Sequence, residues 1–125
     1  MINQINVGVI GTGWCGGIRA NACADNPLVD KLFIAETNSN RLKELKNSLN
    51  IEMATENWQE LVNNKIIDTI IISATPETTH YPMALAALKA GKNVFLEKPI
   101  ATTLKEAEEL IDVSIKNNVK FTIGY

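Results

Sequence analysis

The sequence predicts a doubly wound α/β domain: a mainly parallel, six-stranded sheet with helices on both faces. Three observations carry that reading. Short apolar runs of strand character alternate with stretches of helical spacing along the chain. Several runs are continuous in Val, Ile, Leu and Phe, which suits strands covered on both faces of a parallel sheet. A glycine-rich turn separates the first strand-like run from the first helical stretch.

The predicted strands are Ile5–Ile10, Lys31–Glu36, Thr69–Ser73, Asn93–Glu97 and Lys120–Gly124, with a short sixth piece near Glu52–Ala54. A first helix is expected to start just past Gly16, with Ile18, Ala22 and Ala24 facing inward. Leu42, Leu45 and Leu49 recur at i, i+3 and i+7 and mark a second helix. Asn57 with Glu60 resembles a helix start before Trp58, Leu61 and Val62. Tyr81, Ala84, Leu85 and Leu88 form one more stripe, closed by Gly91. Leu104, Ala107, Ile111 and Ile115 form the last, opened by a Thr103/Glu106 capping pattern. Both late stripes are expected to be core packing. Six strands and five helices with no linker or repeat read as one domain over residues 1–125.

Composition narrows the function. The chain has 125 residues, 46% of them apolar, with twelve basic and fourteen acidic side chains. A nucleic-acid binder needs a basic excess, which is missing. No apolar run reaches the roughly 18 residues of a membrane span. Met1 to Val7 lack the basic start and apolar stretch of a secretory signal. Cys15 and Cys23 read as reduced thiols of a cytoplasmic protein, and a single histidine argues against zinc.

The chemistry starts at Gly11-Thr12-Gly13-Trp14-Cys15-Gly16, a G-x-G-x-x-G turn between strand and helix. Gly11 permits the tight turn, Gly13 lets a pyrophosphate approach the backbone, and Gly16 lets helix and strand pack closely. The free N–H groups of the helix start favour phosphate. Glu36 ends the second strand about 20 residues further on, where a Rossmann fold places the carboxylate that binds the adenosine ribose. A carboxylate there repels a 2′-phosphate by roughly 1 to 4 kcal/mol at about 4 Å. NAD is therefore expected over NADP. Arg41 could offset part of that repulsion, although a solvated helix charge is the preferred reading for it.

Two further motifs lie at C-terminal strand ends, on the cofactor side of such a sheet. The fourth strand runs into Ala74-Thr75-Pro76-Glu77-Thr78-Thr79-His80, and the fifth ends in Glu97-Lys98-Pro99. With GTGWCG at 11–16, this T-P-x-x-x-H loop and the E-K-P about twenty residues later, the whole chain resembles the Gfo/Idh/MocA family of glucose–fructose oxidoreductases and inositol dehydrogenases. The resemblance implies a nicotinamide-dependent oxidoreductase acting on sugars, cyclitols or related polyols. It implies Gly11, Gly13, Trp14 and Cys15 along the pyrophosphate and Glu36 on the adenosine ribose. Ser73, Thr75, Pro76 and His80 would border the nicotinamide half. Glu97 and Lys98 would approach the nicotinamide ribose. Lys98 would also reach the substrate hydroxyl, to polarise or deprotonate it as hydride leaves. With Lys98, His80 is a candidate catalytic residue of the site, and it reads equally as a local cap or solvated residue. Trp14 would either cover the cofactor or pack against a neighbour.

Members of that family carry a second α/β domain that supplies most substrate contacts and commonly the oligomer interface. The pattern here stops at Tyr125, so the chain is expected to be the cofactor-binding part of a longer homo-oligomeric enzyme, binding cofactor without full catalysis. The other readings are a stand-alone dinucleotide-binding module that senses NAD(H), and a related domain serving another nucleotide or an interaction.

Overall fold

A computed structural model describes residues 3–125; Met1 and Ile2, the start of the segment read above as lacking a secretory signal, lie outside them. Among the described residues the order is β1 (Ile5–Ile10), α1 (Trp14–Asp25), β2 (Val29–Ala35), α2 (Ser39–Ser48), β3 (Met53–Thr55), α3 (Trp58–Val62), β4 (Thr69–Ile72), α4 (His80–Lys89), β5 (Asn93–Glu97), α5 (Leu104–Lys116) and β6 (Phe121–Gly124). The strands form one sheet in the order β3-β2-β1-β4-β5-β6, parallel at every pairing. The chain starts in the middle, winds to one edge, crosses back and winds to the other. β1 therefore has β2 and β4 as neighbours, with Ile10 opposite both Ala35 and Ile72. The chain winds in opposite directions from β1 and β4, and the crevice lies at this switch in strand order, at the C-terminal sheet edge.

Alternating strand residues fill two cores. Val7, Val9, Leu32 and Ile34 meet Ala20 and Leu45 beneath α1 and α2. Phe33, Ile70, Ile72, Val94 and Leu96 meet Leu61, Ala84, Leu88 and Leu110 beneath α3, α4 and α5. The fold class, the six strands and the five helices stand as the sequence predicts, with strand ends moved by a residue or two. Asn57 caps α3 by accepting from the Gln59 N–H, and Thr103 caps α5 by accepting from that of Glu106. Gly91 closes α4 with φ +78°.

Two expectations are corrected. First, α1 starts at Trp14, so Trp14, Cys15 and Gly16 lie in its first turn. Its buried residues are Gly16, Gly17 and Ala20, whereas Ala22 and Ala24 are exposed and Ile18 is 56% exposed. The helix approaches the sheet so closely that only the smallest residues fit on its inner side. Second, the α5 stripe is not all core. Leu104 is 76% and Ile115 72% exposed, and Ile111 is also exposed. Leu110 and Ser114 point inward instead, with Ala107 and Val113 half-buried. Ser114 satisfies its hydroxyl by donating to the Ile111 carbonyl at 2.7 Å, which lets a polar residue take an inner position.

Among the described residues no helix is long and apolar enough to cross a membrane, and no group of His, Cys, Asp or Glu is placed to hold a metal ion. Both cysteines are free thiols.

Candidate functional site

The crevice is a cleft of about 1310 Å³ along the C-terminal sheet edge. The glycine turn forms its floor. Gly11 leaves β1 with φ +84°, and a Cβ there would stand 2.6 Å from the Ala74 backbone. The β1 and β4 exits touch at that point, which fixes the crevice. Gly16 lies under the turn, where a Cβ would come 1.9 Å from the Gly11 carbonyl oxygen. Gly13 is different: a Cβ would meet nothing within 4 Å, so the space above it is open. No side chain caps α1, and its first N–H groups remain available to an anion at the turn.

Glu36 stands just beyond β2 at one end of the cleft. Its Oε1 accepts from the Thr12 N–H at 2.9 Å and from the Thr12 hydroxyl at 2.6 Å, and its Oε2 accepts from the Asn38 N–H at 2.9 Å. Thr12 is fully buried, so this carboxylate ties the glycine turn to the end of β2. Burial pushes the Glu36 carboxyl up. The N–H of Asn38, the Thr12 hydroxyl and the N–H groups of Thr12 and Thr37 outweigh that and hold it below the ordinary 4.5. A depressed folded pKa adds stability that is complete above the unfolded pKa and disappears as pH falls through the folded one. The melting-temperature gap between the native chain and Glu36→Gln should therefore be full at pH 7 and shrink below pH 4.5, the ordinary value. A gap that is constant down to pH 3 would contradict these bonds.

Arg41 is not the freely solvated charge preferred from sequence. Its Nε donates to the Thr12 carbonyl at 3.0 Å, and its Nη1 lies 3.4 Å from Glu44 Oε2. Its guanidinium crosses the first turn of α1, where a Cβ on Gly17 would fall 2.5 Å from Nη2. Thr37, Asn38, Glu56 and Trp58 extend the cleft at this end, and sequence reasoning assigned none of them to it.

The other end is built from the β4 and β5 exits. Ser73, Thr75, His80, Glu97 and Lys98 line it; Pro76 and Gly16 do not. Thr75–Pro76 and Lys98–Pro99 are cis peptides. His80 is 2% exposed, so it is neither solvated nor a surface cap. Its Nδ1 lies 2.8 Å from the Pro99 carbonyl oxygen and its Nε2 3.0 Å from that of Ala74. Both ring nitrogens thus face the backbone of the two loops that close this end. Lys98 is exposed and forms no ion pair among the described residues. Trp14 is 85% exposed at the mouth, beside the half-buried Cys15. Arg19, unflagged by any motif, reaches from α1 to Glu97 at 2.5 Å.

The cleft therefore has a carboxylate at one end, a free ammonium at the other and a bare helix N-terminus between them. That distribution suits a long ligand with an anionic middle.

Comparison with known proteins agrees. Residues 5–125 match the family model described as "Oxidoreductase family, NAD-binding Rossmann fold" (Gfo/Idh/MocA). The chain is 29% identical to the myo-inositol 2-dehydrogenase of Thermotoga maritima, over 97% of this chain and 36% of that protein. It is also 29% identical to the scyllo-inositol 2-dehydrogenase (NADP(+)) IolW of Bacillus subtilis, over 87% of this chain and 30% of that one. Its fold overlays the crystal structure of GenD2 from gentamicin A biosynthesis in complex with NAD, with a TM-score of 0.90 and 26% identity, covering 99% of this chain and 35% of that one. The chain spans about a third of the length of the relatives it matches. It belongs to the Gfo/Idh/MocA oxidoreductase family, of which it represents the NAD-binding Rossmann domain.

Proposed function

We propose that the chain holds NAD in this cleft as the cofactor-binding part of an oxidoreductase acting on a sugar, cyclitol or related polyol. The observation that carries the cofactor reading is the Glu36 carboxylate fixed by Thr12 and Asn38, facing a glycine turn left open above Gly13. The adenosine ribose would sit on Glu36 and the pyrophosphate on the turn from Gly11 to Cys15. The nicotinamide half would lie against Ser73, Thr75, Glu97 and Lys98. A bound nicotinamide supplies the hydride acceptor or donor. Lys98 would hydrogen-bond the alcohol oxygen, polarising the hydroxyl and helping its proton leave as the carbon gives up hydride to the nicotinamide, with the same contact serving the reverse direction. The polyol class is supported by the inositol dehydrogenases among the relatives. Most substrate contacts and the homo-oligomer interface would lie in the remaining two thirds that those relatives possess. A cytoplasmic setting matches the supply of nicotinamide coenzymes.

The test is coenzyme choice. The native chain should bind NAD⁺ more tightly than NADP⁺ by about tenfold or more, and Glu36→Ser should narrow that ratio by a similar factor. Equal or tighter binding of NADP⁺ by the native chain would overturn the NAD assignment. Arg41 would then be the residue that compensates.

A further inference from the structure

Arg19 reaches from α1 to the ends of three strands. Its Nη1 stands 2.5 Å from Glu97 Oε2, at the end of β5, and 3.5 Å from Ser73 Oγ, just past β4. Its guanidinium carbon is 4.9 Å from the centre of the Phe95 ring. Gly124, at the end of β6, leaves the room this needs, since a Cβ there would fall 2.9 Å from Arg19 Nη2 and 2.9 Å from the Phe95 ring. Both members of the ion pair are largely buried, with side chains 23% and 18% exposed. Glu97 lines the cleft, whereas Arg19 lies behind it. A buried carboxylate beside a ligand site is costly unless its charge is offset; Glu97 Oε2 accepts no aligned hydrogen bond among the described residues, and the Arg19 guanidinium is the opposite charge beside it.

We propose that Arg19 is a positioning residue that neutralises Glu97 and thereby sets the balance between oxidised and reduced nicotinamide in the cleft. The proposal rests on the reading that the cleft holds a nicotinamide dinucleotide with its nicotinamide at the β4–β5 end. The oxidised nicotinamide ring carries a positive charge and the reduced ring carries none. An unpaired Glu97 carboxylate would attract the oxidised ring, and an unpaired Arg19 behind a neutral residue 97 would repel it. The pair presents neither charge alone, which leaves the exposed ammonium of Lys98 as the net charge at this end of the cleft.

The experiment measures dissociation constants of NAD⁺ and NADH for the native 125-residue chain, Arg19→Met, Glu97→Gln, the double variant and Arg19→Lys, with a thermal melt of each. Arg19→Met should shift the affinity ratio toward NAD⁺ by roughly three- to tenfold, and Glu97→Gln should shift it toward NADH by a similar factor. The double variant should return close to the native ratio, and Arg19→Lys should keep it. A merely structural role would weaken both nucleotides by one common factor. That result, or a ratio unmoved in Glu97→Gln, would overturn the proposal while leaving the cofactor reading intact. Should Arg19→Met fail to fold, Glu97→Gln and Arg19→Lys decide alone. Absence of binding of either nucleotide to the native chain would overturn both.

Discussion

Gly16→Ala should destabilise the domain by more than about 3 kcal/mol, a large part of the margin by which a domain of this size stays folded. The added Cβ would come 1.9 Å from the Gly11 carbonyl oxygen and 2.8 Å from its carbon, both main-chain atoms at the crossing of β1 and α1. Backbone there cannot give way without separating α1 from the sheet. Gly13→Ala should behave in the opposite manner, because its Cβ meets nothing within 4 Å. Its melting temperature should stay within a degree or two of native, while NAD⁺ affinity falls tenfold or more because the methyl group occupies the pyrophosphate's approach. Thermal melts and nucleotide titrations of the two variants separate the glycine that serves the fold from the one that serves the ligand. Equal loss of stability in both would contradict the geometry.

Lys98→Ala should lower turnover by about 10²- to 10⁴-fold in a longer protein that carries this domain together with the substrate-binding part, with NAD⁺ affinity within a few-fold of native. The magnitude is that of a single positioned acid–base group, and the separation of the two readouts follows from the surroundings of Lys98. It is exposed, forms no ion pair among the described residues, and leaves the Arg19–Glu97 pair and the glycine turn untouched when removed. Undiminished turnover on a polyol substrate would remove Lys98 from the chemistry.

The parts of this site that sequence reveals are those encoded by local signals. Continuous apolar runs mark β1, β2, β4 and β5. The Gly11–Gly16 turn and the acid at position 36 mark the crevice from both sides, and Pro76 and Pro99 punctuate the exits of β4 and β5. What stays hidden depends on contacts between distant residues. The inner side of α1 is Gly16, Gly17 and Ala20, and glycine carries no hydropathy signal, so Ile18 looked like the core residue although it faces solvent. Leu104, Ile111 and Ile115 share helical spacing with real core positions, yet α5 is turned so that Leu110 and Ser114 are the buried residues. Arg41 looked like one more charge on an exposed helix; only the fold brings its Nε to the Thr12 carbonyl. His80 sits in the family's loop motif, but its two carbonyl partners belong to different loops. Arg19 and Glu97 lie in different halves of the chain, and nothing in either neighbourhood predicts their meeting.

Titration of NAD⁺ into the 125-residue chain tests the central claim most directly. Saturable binding of one NAD⁺ per chain is predicted, tighter than NADP⁺ and weakened by both Gly13→Ala and Glu36→Ser. No saturable binding, or binding indifferent to both substitutions, would contradict the account.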